Sequence, residues 1–67
     1  MWSESFQVHN KTYTCETHAT LSGEVIWTVR TEQGEHRPVA AMGIRSCEEN
    51  ARSAALTVVE RLRYLSL

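Results

Sequence analysis

No apolar run in the chain is longer than the stretch from Val39 to Met42. A membrane-crossing helix needs roughly 20 apolar residues, so none is expected. Cysteine is equally scarce. Cys15 and Cys47 alone cannot build the framework of a disulfide-dense secreted domain. The first residues, MWSESFQV, lack the basic flank and apolar run of a secretory leader, and a cytoplasmic location is the expectation that follows. Neither sign of charge is in excess. Seven Lys and Arg against eight Asp and Glu leave a net charge of -1, without the broad basic field that drives nonspecific binding to nucleic acid or anionic membranes.

What remains is a composition suited to folding. Hydrophobic residues make up 42% of the chain and both charge signs are interspersed, which places it with globular rather than disordered proteins. With 67 residues it is one domain, 1–67. A chain this short buries only about 60% of its unfolded surface. Its core is therefore marginal, and there is little room for a deep catalytic cleft.

The segment from Ser46 to Leu65 holds an unbroken helical period. At roughly 100° per residue, Cys47, Ala51, Ala54, Ala55, Val58, Leu62 and Leu65 share one face. Ser46 followed by Glu49 has the spacing of a capping box, in which each side chain takes up a backbone N–H of the other residue. Glu48 and Glu49 lie at the positive end of the helix dipole and Arg61 and Arg63 at the negative end.

Upstream the period changes to two. Ser5 to Val8 alternates, and His9-Asn10-Lys11 offers a turn in which Asn accepts a left-handed backbone. Thr12 to Thr20 puts Tyr13, Cys15, Thr17 and Ala19 on one side, and Val25 to Thr31 puts Val25, Trp27 and Val29 together. Glu32-Gln33-Gly34-Glu35 reads as a hairpin turn. His36 to Gly43 follows with Val39 and Ala41 on one side, and Pro38, lacking an N–H, favours a sheet edge. The expected fold is α+β: an antiparallel meander of three or four strands with the C-terminal helix packed on one face. Its expected core is Phe6, Val8, Tyr13, Cys15, Val25, Trp27, Val29, Val39 and Ala41 against Ala51, Ala54, Ala55, Val58 and Leu62.

The stretch GIRSCEENARSAAL, with its short link, Ser cap and Ala-Ala pair after three strands, resembles the C-terminal strand-to-helix part of the double-stranded-RNA-binding domain. That resemblance implies a shape-reading RNA binder; the basic residues in or beside the expected strands and the last link, Lys11, Arg30, Arg37 and Arg45, are the ones that would carry such binding. The family places phosphate-binding lysines in the first helical turn, whereas Cys47, Glu48 and Glu49 stand there in this chain. Acids at that position repel an anion. The family's N-terminal helix has no counterpart either. In length and layout the chain is similar to short proteobacterial proteins, Burkholderia among them, which implies a fold and no activity.

Other candidate chemistry is sparse. Cys15 and His18 have the C-x2-H spacing of a metal half-site, but residues three apart on a strand point to opposite faces. No metal or cofactor site follows. The two cysteines read as small buried apolar groups; an inter-element disulfide is the other reading. A thiolate at Cys47 would be opposed by its glutamates, and no catalytic residue is assigned. Leu56 lies opposite Cys47 on the helical wheel, flanked by Arg52, Val59 and Arg63. A lone exposed leucine is ordinary, yet arginines around an aliphatic centre match a small protein-binding patch. The expected function is a non-enzymatic interaction module for a protein partner or its own copy, with RNA binding as the alternative.

Overall fold

A computed structural model describes residues 1–65. Four strands, β1 (Ser3–Val8), β2 (Lys11–Ala19), β3 (Val25–Glu32) and β4 (Val39–Arg45), precede one helix, α1 (Glu48–Leu65). They form a single antiparallel sheet in the order β1-β2-β3-β4. The expected α+β meander is thus the observed one, with four strands.

Local chemistry explains the connections. His9 and Asn10 both take positive φ, 49° and 70°, which lets β1 turn into β2 in two residues with a twist that suits the flanking strands. Between β2 and β3, the Thr20 hydroxyl accepts from Glu24 N–H at 3.1 Å and so closes the loop on itself. In the last hairpin, Gln33 and His36 exchange backbone hydrogen bonds of 2.9 and 3.0 Å around Gly34, whose φ is 62°. Pro38 sits just before β4, an edge strand, where its missing N–H costs no ladder bond.

Helix α1 lies across one sheet face. Val8, Tyr13, Cys15, Val25, Trp27 and Val29 are buried against Ala51, Ala55 and Val59, with Phe6, Ala41, Ala54, Val58 and Leu62 half-buried around them. Three expected positions change. Val59, expected on the outer patch, is 2% exposed and belongs to the core. Leu65 and Cys47, expected on the inner face, are exposed. At the standard helical spacing this is a roll of roughly 40° about the helix axis, toward Val59. On the sheet side, the Trp27 indole lies against Gly43 of β4, so that a Cβ there would meet Nε1 at 2.7 Å.

A second departure is in β4. The register passes from Val29↔Ala41 to Arg30↔Val39, leaving Ala40 as the extra residue of a bulge. A bulge reverses the faces beyond it. Ala41 therefore faces the helix as expected, while Val39, expected in the core, is 43% exposed on the other face.

The helix start differs from a capping box. Ala51 N–H donates to Cys47 C=O at 3.0 Å, making Cys47 the cap residue, and no hydrogen bond joins Ser46 to Glu49 among the described residues. Glu48 turns inward instead. Its carboxylate accepts from the Thr17 hydroxyl, which itself accepts from Trp2 N–H at 3.1 Å. Arg52 pairs with Glu48 at 3.5 Å and lies 5.5 Å above the Trp2 ring. The chain's first residues, the buried Thr17 and the helix start are joined in one cluster.

Candidate interaction surface

The face opposite α1 is uncovered, and it divides in two. Its β2–β3 part, toward the Glu32 end, is polar. Thr14 donates to Glu32 Oε1 at 2.8 Å, Arg37 Nε to both oxygens of Glu32 at 3.0 and 3.1 Å, and Glu16 sits 3.5 Å from Arg30 and 3.6 Å from Arg37. The Thr14 hydroxyl, then Arg37 and Arg30, hold the Glu32 carboxyl below its ordinary range. Two glutamates thus neutralise two arginines.

The β3–β4 side is aliphatic. Ile26 pairs with Ile44, Thr28 with Met42 and Arg30 with Val39. Met42 is 61% exposed and Ile44 51%, and Ile26 is half-buried beside them. From Val39 to Ile44 the strand carries no charge, and its outer side is hydrogen-bonded to no other strand. Edge strands are usually blunted by lysines, inward charges or covering elements. Beyond Pro38 and its bulge, β4 has none of these before Arg45.

Residues expected to act together are dispersed. Lys11 opens β2, while Arg45 pairs with Val25 at the opposite end of the sheet, roughly 25 Å away at the usual strand rise. Arg30 and Arg37 are held by Glu16 and Glu32 between them. These four make no continuous basic surface.

On the helix, Arg52 is taken by Glu48 and Trp2, Arg63 lies 3.8 Å from Glu60, and Val59 is buried. Of these four expected patch residues Leu56 alone is left as apolar surface, 39% exposed, while Tyr64 and Leu65 at the helix end are more exposed still. Leu56 borders a shallow depression with Glu48, Glu49 and Ser53.

Cys15 and Cys47 are free thiols, one buried and one exposed. Burial, and then the charge of Glu4, push the Cys15 thiol up to about 11, which keeps it protonated and unreactive at neutral pH. His18, three residues on, is exposed on the other face, as the strand alternation requires. No group of three His, Cys, Asp or Glu is placed to hold a metal ion among the described residues. His9 reaches the Arg63 carbonyl at 2.9 Å, tying the first hairpin to the end of α1.

The edge position of β4 was legible in Pro38. The bulge that turns Val39 outward had no sequence signal. No helix among the described residues is long and apolar enough to cross a membrane. Comparison with protein-family models, curated proteins and solved structures gives no match to this chain.

Proposed function

We propose that the protein is a non-enzymatic interaction module that binds through β4 and the aliphatic corner formed by Ile26, Val39, Met42 and Ile44. The observation that carries this reading is an uncharged edge strand with large aliphatic side chains in solvent. Strand addition supplies main-chain hydrogen bonds along such an edge, and side chains on alternate positions supply the apolar contact. A second copy is the partner this edge fits. Antiparallel pairing about Met42 sets Ala40 of one copy against Ile44 of the other and merges the two aliphatic corners into one stripe. It also adds buried area to a chain whose own core is small.

Dispersal of Lys11, Arg30, Arg37 and Arg45 gives RNA binding no geometric support, and the Leu56 region offers less apolar surface than β4 does. Sedimentation of wild type, Met42→Lys and Leu56→Asp tests the proposal. Wild type should sediment as a concentration-dependent dimer, Met42→Lys as a folded monomer with an unchanged far-UV circular dichroism spectrum and a thermal transition that no longer depends on concentration, and Leu56→Asp as wild type. A wild type that stays monomeric, or a dimer indifferent to Met42→Lys, refutes it.

A further inference from the structure

A groove of about 480 Å³ lies between α1 and the β3–β4 part of the sheet, on the other face of the sheet from the aliphatic corner. Trp27 forms its floor, with Ala54 and Val58 along the helix wall. The rim is Arg45, Asn50, Ser53 and Arg61, and no carboxylate lines it.

The charges around it are distributed unevenly. Of the seven basic residues only Lys11 is a lysine, and among the six arginines Arg30, Arg37, Arg52 and Arg63 are each ion-paired to a glutamate. Arg45 and Arg61 have no carboxylate partner among the described residues. Both line this groove. Arg45 is held in place by a bond from Nη1 to the Ile44 carbonyl at 2.8 Å, leaving its other donors open. Trp27, which also lines the groove, is 7% exposed, and its indole N–H, lying against Gly43, has no acceptor. A buried donor without a partner is uncommon in folded proteins.

We propose that this groove binds a small organic acid: a carboxylate held between Arg45 and Arg61, on a flat apolar body that packs against Trp27, Ala54 and Val58. Guanidinium groups match the planar carboxylate with paired donors. The aromatic floor rewards an apolar body, which an inorganic anion lacks.

The test is titration of the ¹⁵N-labelled protein, following the two indole N–H resonances. Trp27 reports the groove and Trp2, on the far side of the helix start, is the internal reference; Trp2→Phe assigns them. The probes are phenylacetate, its neutral analogue phenylacetamide, and inorganic phosphate. The expected result is a saturable shift of the Trp27 indole with phenylacetate alone. Arg45→Gln and Arg61→Gln should each weaken it by roughly tenfold, the usual size for loss of one charge-assisted hydrogen bond, while leaving the spectrum otherwise unchanged. Equal shifts with phenylacetamide overturn the role of charge. Equal shifts with phosphate overturn the role of the apolar floor, and no saturable shift with any probe overturns the site.

Discussion

Gly43→Ala should destabilise the protein although nothing in the backbone forbids it. Gly43 has no positive φ, and alanine is the better strand residue, by a fraction of the ~1 kcal/mol range of β propensities. Opposing that gain, the new Cβ would lie 2.7, 2.8 and 2.9 Å from Nε1, Cε2 and Cζ2 of Trp27. The indole must move, and it forms the centre of the β3 contribution to the core. Overpacking of this kind costs about 1 to 3 kcal/mol, so a net loss of about 1 to 2 kcal/mol is expected by urea denaturation. A double-mutant cycle with Trp27→Phe isolates the contact, because the phenyl ring withdraws the atoms that collide. The two substitutions should be non-additive by about 1 kcal/mol or more, within the range for residues in contact. If Gly43→Ala is as stable as wild type, with the Trp27 indole resonance unmoved, the packing described for Trp27 is wrong.

Three further expectations follow from groups already placed. Cys15 ionises at 9.0 in an ordinary setting and at about 11 in the fold; the unfolded chain thus loses its proton first, and stability held below pH 9 should fall by about 2 to 3 kcal/mol as pH rises to 11. Denaturation across that range should show this slope in wild type and its absence in Cys15→Val; an equal slope in both sinks the assignment. For Glu32, whose carboxyl is held below 4.5, the sign is opposite: its contribution is present above pH 4.5 and is lost as pH falls through the lowered value, and Glu32→Gln should flatten the acid limb of a thermal scan. Thr17→Val removes the hydroxyl that bridges Trp2 N–H and Glu48, at a cost of about 1 to 3 kcal/mol, and a change below about 0.5 kcal/mol would show that the cluster is not needed.

The features legible in the sequence were those set by local chemistry. Alternation in Thr12 to Thr20 and Val25 to Thr31 placed Tyr13, Cys15, Val25, Trp27 and Val29 correctly, since period two survives in unbulged strands. Asn10 and Gly34 marked turns because positive φ restricts which residues can stand there. The failures have tertiary causes. Helical periodicity fixes which residues are neighbours on α1, but Ala54, Ala55, Val58 and Val59 form an apolar arc wide enough to dock at more than one angle. Contacts with all four strands select the angle. Ser46 and Glu49 have the right spacing for a cap, yet Thr17, thirty-one residues before Glu48 in sequence, draws the first turn elsewhere.

Trp27 bears on both surfaces to which a function is assigned. Only a residue without a side chain can stand opposite it, which puts Gly43 in the middle of the edge strand and removes one site where that strand could have carried a charge. On the helix side, the same indole lines the groove that Ala54, Val58, Arg45 and Arg61 also border. On the other side, β4 is left with Met42 and Ile44 as its outward residues and no helix to cover them. A smaller residue at position 27 removes the aromatic lining of the groove, while the edge of β4 and its outer face remain. The groove and the edge are therefore separable. Trp27→Leu should abolish the phenylacetate response yet leave dimerisation dependent on Met42, and loss of both together would mean that the two surfaces act as one site.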